Sequence, residues 1–230
     1  MLSFLDPIRD FSLLSVIVKI TLAMFCGGLL GMERGKKRRP AGLRTYMLVC
    51  IGASLVMITG QYILSVFETG DPQRLGAQVI SGIGFLGAGT IIVTGKNQVK
   101  GLTTAAGLWA AACMGLAIGV GFYEGALVSC ILMYLALTIF QRIDSRLYTY
   151  SKVIELYVEF ASVQYIGSFV HYLRNRDIRL MDLDLMKESD IGEGVVSARL
   201  TIDMPKRCHH GEVLLSLGEY EGINYIEEII

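Results

Sequence analysis

The chain has 230 residues, of which 53% are hydrophobic and 18% charged, and its formal net charge is zero. Soluble proteins average about 25% charged residues, so this composition excludes an ordinary soluble globule and a disordered chain. The zero net charge conceals an asymmetry. Residues 1–152 carry 14 basic and 7 acidic side chains, whereas residues 153–230 carry 7 basic and 14 acidic ones. The sequence therefore predicts two parts in different surroundings.

Five apolar stretches follow one another in the first part. They are Phe11–Met32, Thr45–Phe67, Leu75–Gly95, Gly101–Tyr123 and Gly125–Gln141. Crossing about 30 Å of hydrocarbon takes about 20 helical residues, so the stretches predict five transmembrane helices in a domain of residues 1–145. Lys19 is the one charged residue within them, and we expect it to reach the outer interface or to face another helix.

The basic residues of the short loops predict an orientation. Counting Lys and Arg, 11 lie between the first and second stretches, between the third and fourth, and after the fifth. The opposite side carries 2, Arg9 and Arg74. Basic loops stay in the cytosol, so we expect the amino terminus outside a bacterial plasma membrane and the carboxyl-terminal part in the cytosol.

The second part, residues 153–230, changes to a pattern typical of a mixed domain. Strand and helix periodicities alternate in the order βαββαβ, which fits a ferredoxin-like or ACT-like sandwich. Its three histidines are expected at the surface. The six predicted elements are Val153–Phe160, Gln164–Arg174, Ile178–Lys187, Val195–Met204, His209–Tyr220 and Ile223–Ile229.

Small residues in the third and fourth stretches form a first set of candidates. Gly82-Ile-Gly84-Phe-Leu-Gly87 matches the dinucleotide motif G-x-G-x-x-G, but no acidic residue follows at the required distance. Together with Gly89, these glycines predict either a tight helix crossing or an irregular segment that lines an ion route. Gly107 and Gly115 lie on a small-residue face of the fourth stretch, which predicts close packing in a compact bundle or dimer.

Polar residues at the predicted membrane edges form a second set. Glu33 is the sole acid in a basic segment, and it predicts either an interfacial ion pair or a polar cluster that binds a cation, an anion or a partner helix. Two threonine hydroxyls near a helix start can cap it or serve a ligand. The cytosolic candidates are Glu33, Arg34, Arg44, Thr45, Thr103 and Thr104, and the outer charged pair is Asp71 and Arg74.

Four ordered motifs resemble the MgtC/SapB family of bacterial membrane proteins. They are Gly31-Met-Glu33-Arg34, Pro40-Ala-Gly-Leu-Arg-Thr45, Ser81-Gly-Ile-Gly-Phe-Leu-Gly-Ala-Gly89, and Gly101-Leu-Thr-Thr-Ala-Ala106 followed by Trp109. The resemblance covers about residues 23–142. It implies a plasma-membrane protein linked to growth at low magnesium and, in pathogens, to survival inside host cells. Some relatives restrain the F-type ATP synthase by membrane contact, which makes that enzyme a candidate partner.

Two functions remain open at this point. The first is a dimeric regulatory protein in the lipid bilayer, whose ACT-like domain senses a ligand or ion and whose helices contact a membrane partner. The second is a transporter or channel lined by Glu33, Arg44, Asp71 and the Gly82–Gly89 segment. Mg²⁺ or another divalent cation is a candidate ligand. No HExxH, G-x-S-x-G or Walker A motif occurs, so we do not expect an enzyme. We also expect no nucleic-acid partner.

Overall fold

The structure is a computed structural model that describes residues 12–37, 39–94, 99–143, 151–186 and 195–229. The chain divides into two compact units, Met1–Gln141 and Arg142–Ile230. The first unit is mainly helical, and the second contains a four-stranded sheet. The predicted segment ends at Phe11, Gly95 and Lys187 lie outside the described residues.

Five helices make up most of the described part of the first unit. A short antiparallel hairpin of two strands joins the third helix to the fourth. The elements are α1 (Leu13–Lys36), α2 (Leu43–Phe67), α3 (Pro72–Ala88), β1 (Ile92–Val93), β2 (Val99–Lys100), α4 (Leu102–Val120) and α5 (Tyr123–Leu135), which continues through a π-helical turn (Ala136–Phe140) to Ile143.

Four of the five predicted stretches are confirmed as helices long and apolar enough to cross a membrane. These are α1, α2, α4 and the helix Tyr123–Ile143. The third, α3, has 17 residues. At 1.5 Å per residue it is about 25 Å long, a little shorter than the hydrocarbon core.

Local sequence signals set the helix ends. Ser12 caps α1, because its hydroxyl accepts a hydrogen bond from the Ser15 N–H at 3.1 Å. Asp71 caps α3 in the same way and precedes Pro72, a residue favoured in the first turn. Gly121 ends α4 with a φ of +87°, a left-handed conformation that glycine adopts without strain.

Helix α1 packs antiparallel against α2 through glycines. A Cβ atom on Gly27 would lie 2.7 Å from the Tyr46 carbonyl oxygen and 2.9 Å from the Cys50 Cβ. A Cβ on Gly31 would lie 2.8 Å from the Gly42 carbonyl oxygen. These separations are below ordinary van der Waals contact, so only glycine allows the two backbones to approach this closely.

Helix α4 packs parallel to α2 on another side. Gly115 lies against the backbone of Cys50, and Gly119, one turn later, lies against that of Ser54. Residue numbers therefore increase in the same direction along both helices. A Cβ on Gly119 would lie 2.5 Å from the Ser54 carbonyl oxygen. Two adjacent parallel helices require the chain to return along the bundle between them, and α3 supplies that return.

The second unit follows the predicted order βαββαβ. Its strands and helices start or end within about two residues of the predicted limits. They are β3 (Val153–Phe160), α6 (Gln164–Asn175), β4 (Arg179–Met186), β5 (Val196–Asp203), α7 (His210–Gly218) and β6 (Ile223–Glu228).

The sheet has the strand order β4-β5-β3-β6, with every neighbouring pair antiparallel. Leu156 lies opposite Leu200 in the register of β3 and β5, and both side chains are fully buried. Phe169 and Leu173 from α6 and Leu217 from α7 complete the core. The alternating apolar residues of the strands therefore meet one face of each helix.

One histidine departs from the expected surface position. His210 is 2% exposed, and its Nδ1 lies 2.5 Å from a Glu228 carboxylate oxygen while its Nε2 lies 2.9 Å from the Ser151 carbonyl oxygen. The prediction of three surface histidines was therefore wrong for His210. The sequence pattern missed it because the partners come from distant parts of the chain.

Candidate functional site at the ends of helices α1 and α5

A buried ion pair lies in the last turn of α1. Glu33 is 8% exposed and Arg34 is 2% exposed. The Arg34 Nε donates a hydrogen bond to Glu33 Oε2 at 2.7 Å. One helical turn later, the Lys37 Nζ lies 2.6 Å from Glu33 Oε1. The single carboxylate is therefore held by two cations at once.

Arg34 also connects α1 to α5 through hydrogen bonds. Its Nη2 donates to the Leu137 carbonyl oxygen at 3.0 Å and to Gln141 Oε1 at 3.0 Å. The Lys37 Nζ donates to the same Gln141 oxygen at 2.7 Å. Leu137 lies in the π-helical turn of α5, where the regular helical hydrogen bonds are interrupted. A π-helical turn inside an α-helix is frequently found at a functional site.

The charges of this cluster favour a contact that holds helices or an acidic group in place over a site that binds a cation. Two cations, Arg34 and Lys37, face one carboxylate, Glu33, which leaves a net charge of +1. A hard divalent cation requires several oxygen ligands, usually including carboxylates that are free to coordinate it. The excess positive charge instead suits an acidic group, which could approach through the partly exposed Lys37.

The structure places the other cytosolic candidates outside this cluster. Arg44, Thr45 and Thr103 are exposed. Thr104 is buried, and its carbonyl oxygen accepts a hydrogen bond from the Tyr46 hydroxyl at 3.4 Å. The Tyr46 hydroxyl also packs directly against Gly107, where a side chain would collide with it. Thr104 therefore helps to fix α4 against α2.

The outer pair, Asp71 and Arg74, lies at the start of α3. Asp71 Oδ1 accepts hydrogen bonds from the backbone N–H groups of Gln73 at 2.9 Å and Arg74 at 3.3 Å. Both residues are exposed. In the structure, the side chain of Asp71 thus contacts the backbone of Arg74 as a helix cap.

The candidate glycines of α3 and its end fall in different surroundings. A Cβ on Gly87 would lie 3.5 Å from the Ala105 Cβ, an ordinary contact with α4. Gly82 and Gly84 are exposed, and a Cβ on either would have nothing within 4 Å. Gly89 follows the last residue of the helix and closes it with a hydrogen bond to the Phe85 carbonyl.

A second buried cation lies near the other end of α1. Lys19 is 1% exposed, and its Nζ donates to Gln61 Oε1 at 3.2 Å. Gln61 Nε2 in turn donates to the Val120 carbonyl oxygen at 3.2 Å. Of the two predicted positions for Lys19, the structure shows the one that faces another helix. This chain of hydrogen bonds connects α1, α2 and the end of α4.

A family comparison adds to this geometry. The model of the family described as the MgtC family matches residues 20–146, more than half of the chain. The chain belongs to the MgtC family. The matched range contains Glu33 and Arg34 from α1, Lys37 directly after it, and Leu137 and Gln141 from α5. The cluster therefore lies within the family domain.

Three bacterial relatives of this MgtC-family chain show how far the similarity reaches. YhiD of Escherichia coli (strain K12) is 42% identical over 136 residues, which cover 57% of this chain and 63% of YhiD. MgtC of Salmonella typhimurium (strain LT2) is 44% identical over 122 residues, covering 52% and 50%. SapB of Bacillus subtilis (strain 168) is 35% identical over 138 residues, covering 58% and 56%.

The chain spans about half to three fifths of the length of these relatives. Family membership and the four apolar helices identify a multi-pass bacterial membrane protein. Among the described residues, no group of three or more His, Cys, Asp or Glu side chains is arranged to hold a metal ion.

Three partners in the cluster were not predicted from the sequence: Lys37 and the two residues that α5 contributes, Leu137 and Gln141. Lys37 belonged to a run of basic residues with no feature to separate it from its neighbours. Gln141 carried a weak signal, because it is a polar residue at the end of an apolar stretch. The Leu137 carbonyl oxygen carried none, since a backbone acceptor depends on the π-helical turn and not on the side chain.

Proposed function

We propose that this protein is a regulatory plasma-membrane protein linked to adaptation to low magnesium, and that it acts by contact with a membrane partner. One observation carries the proposal. The sole acid of the candidate cluster, Glu33, is buried and is already held by Arg34 and Lys37. Such a cluster is suited to fix helices in position and to receive an acidic group of a partner.

The link to magnesium is supported by the relatives. The chain shares its family domain with MgtC, and the full name of the relative YhiD describes that protein as a proposed magnesium transporter. That name also keeps transport of an ion or a small solute as the second candidate function. The two functions differ in whether an ion must pass through the bundle.

Buried cations at both ends of α1 favour regulation over transport of a divalent cation. Lys19 is 1% exposed near one end and Arg34 is 2% exposed near the other. Lys19, and the cluster of Glu33, Arg34 and Lys37 with its net charge of +1, would both repel Mg²⁺ in a medium of low dielectric constant. Between them, Gly27 and Gly115 bring the helix backbones into direct contact. The described part of the bundle is thus packed and positively charged along α1.

The membrane topology that we propose has five crossings, with the amino terminus outside and residues 143–230 in the cytosol. Helices α2 and α4 run parallel and adjacent, which supports a crossing by α3 despite its 17 residues. The 11-to-2 distribution of Lys and Arg supports the orientation.

For the second unit we propose an ACT-like sensor domain that pairs with a second copy. The order βαββαβ and the strand order β4-β5-β3-β6 support the ferredoxin-like sandwich to which ACT-like domains belong. A homodimer would have to use surfaces other than the small face of α4, because α2 of the same chain already covers that face.

Two experiments separate regulation from transport. In proteoliposomes loaded with a Mg²⁺-sensitive dye, a regulatory protein should give no Mg²⁺ flux above that of empty vesicles. Affinity copurification from cells starved of magnesium should recover a membrane partner such as the F-type ATP synthase. Mg²⁺ flux without such a partner would overturn the regulatory proposal and establish the transporter.

Copurification is tested with one variant in the cluster and one matched control variant outside it. Glu33→Gln removes the charge at the centre of the cluster, whereas Arg44→Gln removes an exposed charge with no described contact. At equal amounts of folded protein in the membrane, the partner should be lost with Glu33→Gln and kept with Arg44→Gln. Retention of the partner by both variants would show that the cluster is not the contact site.

A further inference from the structure

A groove in the second unit lies where α6 turns into β4. Its volume is about 440 Å³, and its described lining consists of Val170, Arg174, Asp177, Ile178, Arg179 and Leu180. The lining residues come from the last turns of the helix, the turn itself and the first residues of the strand. The size of the groove is within the range of about 300–1,000 Å³ that small-molecule sites occupy.

The turn that shapes the groove is held by its own backbone. The Ile178 N–H donates to the Leu173 carbonyl at 3.0 Å, and the Asp177 N–H donates to the Arg174 carbonyl at 3.1 Å. Asp177 has a φ of +57°, a left-handed conformation that aspartate tolerates better than most residues. This turn brings Arg174, from the last turn of α6, and Arg179, the first residue of β4, to the same groove.

Two arginines of this acidic domain lack partners among the residues that the structure describes. Within the described ranges, neither Arg174 nor Arg179 has a side-chain hydrogen bond or ion pair, although residues 153–230 hold 14 acidic side chains and 7 basic ones. Arg176 shows the contrast. Its Nη1 donates to Ser216 Oγ at 2.6 Å, and its guanidinium lies 4.5 Å from the centre of the Tyr172 ring.

The chemistry of the lining selects a class of ligand. Two guanidinium groups and one carboxylate give the lining a net charge of +1, which favours an anionic ligand. A planar carboxylate matches the donor geometry of arginine. Val170, Ile178 and Leu180 provide an apolar floor on which a hydrocarbon group can rest.

We propose that this groove binds a small carboxylate that bears an apolar group, with Arg174 and Arg179 holding the carboxylate. The inference rests on the proposed sensing role of the second unit and gives that role a ligand class and a site. It is independent of the proposed partner contact, because binding at the groove and recovery of a membrane partner are measured separately.

The test uses the full chain in lipid nanodiscs and 2-naphthoate as the probe, with binding followed by calorimetry. The double variant Arg174→Gln/Arg179→Gln should weaken naphthoate binding by about tenfold or more, equivalent to at least 1.4 kcal/mol. Arg207→Gln is the matched control, since Arg207 is exposed on the same unit and does not line the groove. It should leave the affinity unchanged.

A further variant is expected to bind the probe more tightly, a result that misfolding cannot produce. Asp177→Asn removes the carboxylate of the lining, so naphthoate should bind more tightly, and more so at low salt. Inorganic phosphate, which has no apolar part, should bind more weakly than naphthoate. Absent binding to the wild type, an equal loss with Arg207→Gln, or tighter binding of phosphate than of naphthoate would overturn the proposal.

Discussion

Glu33 and Arg34 show how much a pair of neighbouring residues reveals before the fold is known. Their opposite charges at the end of an apolar stretch predicted either an interfacial ion pair or a binding cluster, and the structure shows an ion pair between them. Arg44, another candidate at the predicted membrane edge, is exposed, whereas Lys37 contacts Glu33 because it lies one helical turn beyond it. The contact with the Leu137 carbonyl depends on how α5 packs, which no local pattern in α1 contains.

The first prediction concerns the charge of Glu33. Glu33→Gln leaves Arg34, which is 2% exposed, beside a neutral amide. Because breaking a buried ion pair typically costs about 3–5 kcal/mol, the free energy of unfolding in detergent should fall by an amount of that order. Arg44→Gln should change it by less than about 0.5 kcal/mol. An equally small effect of Glu33→Gln would show that water screens the pair.

The second prediction concerns Lys19 and Gln61. Gln61→Leu removes the described acceptor of a buried ammonium and should destabilise the protein by about 1–3 kcal/mol. Lys19→Met/Gln61→Leu removes the cation as well, so it should recover part of that loss. Thermal unfolding of the two variants and of Lys19→Met completes a double-mutant cycle. Additive losses in the cycle would mean that the two side chains do not depend on each other.

At the scale of elements, glycine spacing predicted which faces pack but not which helix covers them. The small face of α4 indicated close approach, and the structure shows α2 of the same chain against it. In α3, Gly82 and Gly84 belong to the same glycine-rich motif as Gly87, yet they are exposed while Gly87 contacts α4. Gly82 and Gly84 lie on a different face of α3 from Gly87, and which face meets another helix depends on how the helices pack.

The third prediction compares two glycines of the bundle. Gly115→Ala places a methyl group against the Cys50 backbone carbonyl, which cannot move aside as a flexible side chain can. We expect a loss of about 1–3 kcal/mol. Gly82→Ala meets open space in a helix, so it should be neutral or stabilise by up to about 1 kcal/mol. Both are measured by unfolding in the same detergent, and equal effects would contradict the described packing of α4 on α2.

The fourth prediction concerns the connection between α1 and α5. Arg34→Lys keeps the charge but cannot reproduce the three hydrogen bonds that the guanidinium makes to Glu33, Leu137 and Gln141. Amide hydrogen exchange should therefore become faster across the π-helical turn Ala136–Phe140. The middle of α2 serves as the internal control and should keep its protection. Unchanged exchange at the turn would show that Arg34 does not stabilise it.

At the scale of the whole molecule, the change in pattern near residue 152 was the most informative signal. Apolar stretches predicted helices, and alternation predicted the strands of the second unit within about two residues. The prediction was weakest for α3, because its glycine-rich stretch continues past Ala88 into residues that leave the helix. Composition shows that a segment is apolar, whereas the position of its last helical turn depends on Gly89 and the hairpin that follows.

The fifth prediction tests the topology through the length of α3. If α3 crosses the membrane, the five crossings place the two termini on opposite sides; if it does not, four crossings place them on the same side. Phosphatase fusions that are active only in the periplasm should be active after Gly70, which lies between α2 and α3, and silent after Gly101 and Ile230. Activity at both Gly70 and Gly101 would show that α3 fails to cross. Activity at Ile230, with or without activity at Gly101, would overturn the proposed location of the second unit, and with it the access of a cytosolic carboxylate to Arg174 and Arg179.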